Sequence, residues 1–388
     1  MADLVKTKTV WKYGIGLTAL LSLFFELTPQ VAAEPITPRV TSGFIEDERR
    51  PRPSQRSKAE PAFTGWAFHI DNDLLTPVTT DRDYTAGFAL TMSGSETKDY
   101  SLSIDSLLGW IDDVVIPQKI PHTAQKNLHS FEIGMNLFTP SDINKSIPDF
   151  TDRPYASLVY VANTHQRYVP HNQSVLISTL SLGILGSRFP GELQSGVHKL
   201  IDVTEPKGWD NQISPGGELT ARYALSSQRM FYSGELSGGS RYDVTTAIRG
   251  AIGYITEVSI GISSRVGDIY SDWWSFNPNL SDYAEKSLPI AASTHQKDGR
   301  QESYFWYGAN LRLRLYNAFL QGQFRDSSVT INRGDINPLL AEAWAGYTKQ
   351  IESDWRLSYL VRAQTPEIRI GNSDRTGLWG GVIIGRSF

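Results

Sequence analysis

Hydrophobic and polar residues alternate along most of this chain, from Gly65 to the last residue. A period of two predicts β-strands with one apolar and one polar face. In the later segments the polar face carries arginines and the apolar face carries leucines, which is typical of a strand between lipid and a wet lumen. A soluble antiparallel sandwich would give a similar alternation. The clearest segments are 66–71, 85–92, 131–137, 305–315 and 355–364.

The two ends of the chain favour the membrane interpretation. Three lysines precede an apolar run at residues 13–25, and Val31-Ala32-Ala33 predicts signal-peptide cleavage before Glu34. An uncleaved anchor is the alternative, although the run is short for a spanning helix. The last apolar strand face ends on Phe388, interrupted by Arg386, and resembles the signal that outer-membrane assembly machinery reads. An exported membrane protein without long apolar helices must be a closed barrel.

These patterns divide the chain into three predicted parts. Residues 1–33 are a signal peptide, and residues 34–62 are a disordered tether because they are rich in Pro, Arg, Glu and Ser. Residues 63–388 form an all-β transmembrane barrel that we expect in the bacterial outer membrane. The net charge of −4 gives no reason to expect nucleic acid as a partner, and the absence of cysteine excludes thiol chemistry. The sequence does not define an oligomeric state.

Two polar clusters lie on the first predicted strands, at residues 69–73 and 83–87. Asp71, Asp73 and Asp83 have the oxygen ligands that Ca²⁺ binds. The alternative is that they are hydrogen-bonded turn residues, which are common at strand ends. Strict alternation places Asp71 and Asp73 on the lumen side and Asn72 opposite. A bulge or a strand end is therefore needed if Asn72 and Asp73 are to act together.

One segment, Gly191 to Asp202, predicts a short helix rather than a strand, because its apolar residues have helical spacing. Gln194 and His198 share another face of it, and Glu205 follows seven residues after His198. His198 is a candidate general base, oriented by Glu205 or another carboxylate, and its alternative is a surface histidine. No G-x-S-x-G motif is present. The polar residues therefore favour water activated by histidine beside a cation, with hydrolysis of an ester.

Charged loop residues are the last candidates. Lys145 and Arg153 are expected to hold anionic substrate groups, or else to be simply solvated. The four arginines on the presumed lumen face are consistent with anion passage, or with pairing to lumen acids that seals a narrow barrel. They are Arg312, Arg314, Arg356 and Arg362.

The order of the motifs resembles one known family, the outer-membrane lipid A 3′-O-deacylases. The resemblance runs from about Gly65 to Phe388 and is strongest up to Trp209. The segment from about Asp105 to Lys126 is read as a loop longer than the family needs, and the tether has no counterpart. The motifs are Asn72-Asp73, 81–87, Thr139-Pro140, Asn144-Lys145, 152–156, Gln194…His198-Lys199-Leu200-Ile201 and 208–212.

This resemblance implies a barrel of about twelve strands with a short helix at the mouth of the site. It implies a Ca²⁺-dependent esterase that removes the 3′-linked acyl (acyloxyacyl) chain of lipid A in lipopolysaccharide. His198 would activate water, and Asp73 would help to hold Ca²⁺. Asn72 and Thr85 would line the metal and oxyanion region, Lys145 would contact a phosphate, and Gln194 would line the cleft. The family's acidic position falls at Thr204 by strict count, one residue before Glu205.

Two other functions stay open at this point. The first is a barrel phospholipase that acts on glycerophospholipids, which would release fatty acid from phospholipid vesicles. The second is a non-catalytic porin or structural barrel, which would conduct ions without hydrolysing lipid.

Overall fold

The computed structural model describes residues 60–76, 83–116, 126–169, 173–200, 202–236, 238–278, 286, 289, 301–352 and 354–388. The predicted signal peptide and residues 34–59 of the predicted tether lie outside the described residues. The last three residues assigned to the tether bind the barrel, and Glu60 accepts the N–H of His129 at 2.7 Å. The carbonyls of Pro61 and Ala62 accept hydrogen bonds from the N–H groups of Ser95 and Glu96, at 2.9 and 3.0 Å.

The described residues form a closed barrel of twelve antiparallel strands. Each strand pairs with its neighbours in sequence, and β1 pairs with β12 to close the barrel. The prediction of an all-β barrel of about twelve strands is confirmed. The strands are β1 (Gly65–Asn72), β2 (Asp83–Ser93), β3 (Lys126–Thr139), β4 (Ala156–Val169), β5 (Ser174–Leu185), β6 (Glu218–Glu235), β7 (Arg241–Gly253), β8 (Ile255–Asp268), β9 (Ser303–Asn317), β10 (Leu339–Gln350), β11 (Trp355–Gln364) and β12 (Gly377–Ser387).

The predicted alternation sorts side chains between the outer wall and the lumen. In β9, Phe305, Leu311 and Leu313 are exposed on the outer wall, whereas Arg312 and Arg314 are buried in the lumen. Most of the other strands follow the same pattern, so much of the outer wall carries the apolar surface that a lipid-facing barrel requires. Among the described residues, no helix is both long enough and apolar enough to cross a bilayer.

Paired charges fill the lumen. Arg362 donates to Glu342 at 2.7 Å, Arg356 donates to Glu302 at 3.0 Å, and Arg314 bridges Glu257 and Glu367 at 2.9 and 2.6 Å. Glu342 also binds Arg312. Buried charges persist when they are paired in this way. Of the two explanations for the lumen arginines, the structure supports pairing with lumen acids.

A segment between β8 and β9 also enters the lumen. The carbonyl of Trp274 accepts a hydrogen bond from Gln166 at 2.7 Å, and that of Phe276 accepts one from Gln228 at 3.0 Å. Farther along the same connection, Lys286 forms an ion pair with Asp71. Backbone carbonyls and one lysine thereby satisfy polar groups of the barrel interior that would otherwise be buried without partners.

The barrel has two different ends. The terminal end is the end that holds Gly65 of β1 and Ser387 of β12, and the loop end is the opposite one, where β1 and β3 finish. The predicted helix is α2 (Arg188–Leu200), in the connection that follows β5 at the loop end. It is confirmed, and it begins three residues before the predicted Gly191. A shorter helix, α3 (Ala318–Gln321), follows β9.

A helix that the sequence pattern did not predict lies between β2 and β3. Residues Asp105–Val115 form α1, where the sequence was read as an extended loop. The connection belongs to the terminal end, and α1 packs against β4 and β5. The loop prediction for this segment is therefore wrong over the length of α1.

Candidate active site at the loop end

The first part of the candidate site is the end of β1. The strand stops at Asn72 and continues into a single 3₁₀ turn, Asp73–Leu75. Asn72 caps this turn, because its Oδ1 accepts the N–H of Leu74 at 2.7 Å, and its Nδ2 donates to the Thr85 carbonyl at 2.7 Å. The strand end places Asn72 and Asp73 in one turn, as their joint action would require. Asp73 is buried there.

The second part is a β-bulge in β2. The register with β3 shifts between Tyr84 and Ala86, so Thr85 is the extra residue. Its Oγ1 lies 2.5 Å from Oγ1 of Thr139, the last residue of β3. A Cβ at Gly87 would lie 1.8 Å from the Tyr84 hydroxyl, which explains why glycine follows in this motif. The bulge therefore fixes Thr85 against both Asn72 and Thr139.

The third part is His198, on the last turns of α2. Its Nδ1 lies 2.6 Å from the carbonyl oxygen of Thr204. A carbonyl only accepts hydrogen bonds, so Nδ1 carries the proton and Nε2 keeps its lone pair in the neutral ring. A second bond, from the Val203 N–H to the His198 carbonyl at 3.0 Å, holds the chain after the helix in place. The geometry gives His198 the tautomer that a general base needs.

Gln194 lies one turn before His198 and is buried. Its Oε1 accepts a hydrogen bond from Nε1 of Trp209 at 2.9 Å, and its Nε2 has no hydrogen-bond partner among the described residues. Trp209 packs against Gly191, where a Cβ would lie 2.7 Å from the indole, and against Tyr155 with ring centroids 4.8 Å apart. The Gly208-Trp209 motif thus forms the support on which α2 rests.

Lys145 lies in a loop cleft beside this support. Its ammonium pairs with Asp149 at 2.8 Å, and its side chain is 49% exposed. The hydrogen bond from Lys145, followed by those from Thr151, lowers the pKa of Asp149 to about 2, and the same contact raises the pKa of Lys145. The cleft is lined by Pro140, Asp142, Lys145, Ile147, Pro148, Asp149, Asp152, Arg153, Pro154, Tyr155, Gly208, Asn211 and Val329.

Asp152 fastens this loop to the connection before β12. It accepts hydrogen bonds from the Ser141 N–H and the Ser373 hydroxyl, both at 2.8 Å, and pairs with Arg375 at 3.0 Å. Burial opposes ionisation, but these hydrogen bonds and the charge of Arg375 outweigh it, so the pKa of Asp152 is lowered. The Asp-Arg-Pro-Tyr motif therefore has a structural role that the sequence analysis did not assign.

Arg153 does not take the position expected of an anion contact. It is buried, it pairs with Glu367 at 3.1 Å, and its guanidinium stacks over the Phe138 ring at 4.4 Å. That expectation is wrong, because the loop folds inward at Arg153 and leaves Lys145 as the exposed cation of the pair.

The structure gives no support for a site role of the remaining candidate acids. Asp71 is held in the lumen by Lys286 and by the Tyr84 hydroxyl at 3.3 Å, so its candidacy as a metal ligand is not supported. Asp83 begins β2, but its side chain lies outside the described part of the chain. Glu205 is exposed, and within the described residues no hydrogen bond joins it to His198. His69 is a buried lumen residue, as the alternation predicts.

The predicted residues lie in two groups at the loop end, one at the end of β1 and one on α2 and the loops beside it. Asn72, Asp73 and Thr85 form one connected group that reaches Thr139, and α2 packs against β3 and β4. The donors at the end of β1 are a buried carboxylate, an amide oxygen and a hydroxyl. An all-oxygen donor set fits a hard cation such as Ca²⁺ better than a nitrogen- or sulfur-preferring metal.

A different cluster of possible ligands lies toward the terminal end. One ligand atom from each of Asp105, His129 and His165 lies within 4.8 Å of the others. In this structure hydrogen bonds account for the group. Nε2 of His165 faces Asp105 and Nδ1 faces Asp112, both at 2.9 Å, while His129 pairs with Glu60 at 2.6 Å. This group is not evident from the sequence, because only the folded α1 brings Asp105 and Asp112 to the histidines.

The fold and the site together define an outer-membrane β-barrel that carries a histidine-based polar site at its loop end. The family model for outer membrane protein LpxR matches residues 20–388, and the chain belongs to this family. This is the family that the motif series resembles, so that prediction is confirmed. No curated protein sequence matches the chain.

Solved structures agree with the fold. LpxR from Salmonella typhimurium superposes with a TM-score of 0.63 at 18% identity, covering 84% of this chain and 100% of that one. The β domain of the Bordetella autotransporter BrkA gives a TM-score of 0.37 at 9% identity, covering 84% and 100%. The KdgM porin gives 0.34 at 6%, covering 84% and 99%. Only the first score is high enough to support the assigned fold.

Proposed function

We propose that this protein is a Ca²⁺-dependent lipid A 3′-O-deacylase, which hydrolyses the ester that links the 3′ acyl (acyloxyacyl) chain to the sugar. The observation that carries the proposal is the orientation of His198. Within a member of the LpxR family, the histidine of the predicted helix donates Nδ1–H to a carbonyl, which leaves Nε2 as the basic nitrogen of the neutral ring.

The proposed chemistry uses His198 first as a base and then as an acid. Nε2 accepts a proton from water while the water oxygen bonds to the ester carbonyl carbon. The tetrahedral intermediate then collapses, the bond from the acyl carbon to the 3′ oxygen breaks, and His198 returns the proton to that oxygen. The products are a free fatty acid and a lipid A with a 3′ hydroxyl.

The other residues position the substrate. Asp73, with oxygens of Asn72 and Thr85, would hold Ca²⁺, which would supply positive charge for the developing oxyanion. The Gln194 amide nitrogen, buried and without a partner among the described residues, is available to a polar group of the substrate. Lys145 lies in the exposed cleft, and a lipid A phosphate would compete with Asp149 for its ammonium. Glu205 remains a candidate partner of the imidazolium.

Mass spectrometry of lipid A tests the proposal. The full chain is expressed in a lipopolysaccharide-producing host, and outer membranes are incubated with Ca²⁺ or with a chelator. We expect loss of the 3′ acyl mass only with Ca²⁺, and no loss in His198→Ala. A general base contributes about 10²- to 10⁴-fold to the rate, so residual activity should be near background.

The matched control is Lys199→Ala, which changes the exposed neighbour of His198 on the same helix. It should retain activity, and both variants should migrate as folded barrels in unheated gels. Unchanged lipid A from a correctly inserted wild-type barrel would refute the proposal. So would fatty acid release from phospholipid vesicles without any change in lipid A.

A further inference from the structure

α1 has its polar and apolar residues arranged opposite to those of a helix on a soluble protein. Its buried residues are Leu108 and Asp112, and Asp105 on the same side contacts the barrel. Its opposite face is apolar and exposed, with Trp110 at 64% and Val114 at 71% exposure and Leu107 beside them. These three positions follow the i, i+3, i+7 spacing of one helix face.

The barrel surface beneath α1 is the outer wall, not the lumen. His129 and His165 are register partners on β3 and β4, and they lie on the same face as Ile133, which is exposed on the outer wall. Ser178 of β5 pairs with His165 and shares the face of exposed Ile184. α1 therefore lies outside the barrel, across the strands from β3 toward β6.

The outer wall is polar at this place. Asp112 accepts hydrogen bonds from Nδ1 of His165 at 2.9 Å, from Arg167 at 2.8 Å, from Ser178 at 2.7 Å and from the Tyr223 hydroxyl at 2.9 Å. Asp112 is 1% exposed. Both ring nitrogens of His165 face carboxylates, so the ring carries two protons and a positive charge.

Asn163 holds the start of the helix in the same way. Its Oδ1 accepts the N–H of Ile104 at 2.8 Å and the hydroxyl of Ser103 at 3.2 Å. Such polar groups would be costly to expose to lipid. The acidic face of α1 satisfies these groups and removes them from the lipid-facing surface.

We propose that α1 is a membrane-interface helix, whose face of Leu107, Trp110 and Val114 inserts into the lipid leaflet around the terminal end. Its exposed surface continues the apolar outer wall, where Ile133 and Ile184 face lipid. Amphipathic helices that lie in this boundary place tryptophan and leucine toward the acyl chains. The choice of leaflet rests on the proposed function: the lipid A site lies at the loop end and lipid A occupies the outer leaflet, so the opposite, terminal end lies at the periplasmic leaflet.

The helix has a third face that supports this placement. Ser106 and Asp113 are exposed on the flank between the wall face and the apolar face. A helix at an interface needs such a water-facing flank, whereas a helix buried between two proteins does not. The apolar face is also small. Three side chains cover a few hundred Å² at most, below the roughly 800 Å² per partner of a stable protein interface.

The absence of cysteine makes the test direct. Single cysteines replace Trp110 and Val114 on the apolar face, and Ser106 and Asp113 on the flank as matched controls. Each full-length variant carries an environment-sensitive fluorophore and is reconstituted into phosphatidylethanolamine/phosphatidylglycerol vesicles. The probes are a phospholipid with a nitroxide near its headgroup and, in water, iodide.

We expect the nitroxide lipid to quench labels at 110 and 114 several-fold more than labels at 106 and 113, and iodide to show the reverse order. Equal iodide quenching at all four positions would overturn the proposal, because the apolar face would then be in water. Protection of 110 and 114 from both probes, increasing with protein-to-lipid ratio, would overturn it in favour of a second copy. In an Asp105→Asn/Asp112→Asn background, unchanged quenching at 110 would refute the role of the acids as the anchor.

Discussion

The lumen network predicts a large stability loss when Glu342 becomes glutamine. One oxygen of Glu342 accepts from Arg362 at 2.7 Å, and the other binds Arg312 and accepts from Asn310 at 3.1 Å. All of these side chains are buried. Glutamine keeps the shape and one acceptor oxygen, but it removes the charge that compensates the guanidinium groups.

The size of the stability loss depends on which partners Arg312 and Arg362 keep in the Glu342→Gln variant. Arg312 retains Glu257 at 3.6 Å, whereas Arg362 retains the Pro278 carbonyl, which is a neutral acceptor. Breaking a buried ion pair on one side costs about 3–5 kcal/mol. Because Arg312 keeps a carboxylate, we expect the lower end of that range, about 3 kcal/mol, for Glu342→Gln.

Guanidinium unfolding of the barrel in detergent micelles measures this loss. The matched control is Asp354→Asn, which breaks the Arg386–Asp354 pair at 2.6 Å, where both side chains are partly exposed. A surface pair contributes about 0–1 kcal/mol, so the control midpoint should scarcely move. Equal shifts in the two variants would show that the lumen charges are hydrated, and would refute the sealed lumen inferred from these contacts.

The remaining predictions concern the loop end. Gly191→Ala should lower kcat on lipid A while leaving the unfolding midpoint unchanged, because its Cβ would lie 2.7 Å from Trp209. The control is Gly196→Ala on the same helix, whose Cβ would meet nothing within 4 Å, so kcat should not change. Lys145→Ala should raise KM for bisphosphorylated lipid A more than for the monophosphorylated form, and equal effects would remove the phosphate contact. The lowered pKa of Asp149, about 2, means that its pair with Lys145 is complete above pH 4 and is lost only as pH falls through about 2. The Asp149 carboxyl should thus show no titration step between pH 5 and pH 8 in NMR spectra of the unliganded protein, and a step in that range would refute the pairing.

The sequence was informative where a pattern is periodic and local. A period of two gives the barrel and correctly assigns Arg312 and His69 to the lumen, because each strand separates lipid from a polar interior. Helical spacing identifies α2, because its apolar residues recur along one face of the helix. The partners of these residues were not predictable, since Glu342 and Lys286 come from elements that only the closed barrel brings to them.

The sequence pattern does not predict α1, the helix on the outer wall. Its apolar residues face outward and its acids face the barrel. The same outward orientation of apolar residues holds for α2, where Val197 and Leu200 are exposed and Gln194 is buried. Acids can face the barrel in this way because the outer wall beneath α1 is polar, with His165 and Ser178 as hydrogen-bond donors. Those residues look like ordinary members of alternating strands until the register places them opposite Asp112.

The position of Thr204 changes how the proposed base would work. The sequence left a choice between a carboxylate one residue later and the residue at the strict family position, and the structure gives His198 the Thr204 backbone carbonyl at 2.6 Å. A neutral carbonyl fixes the tautomer and the ring plane as a carboxylate would, but it gives less electrostatic stabilisation to the imidazolium. The protonated ring would then return its proton readily to the 3′ oxygen. A backbone acceptor also does not depend on the side chain at position 204, so a threonine can occupy the position where the motif resemblance implies an acid.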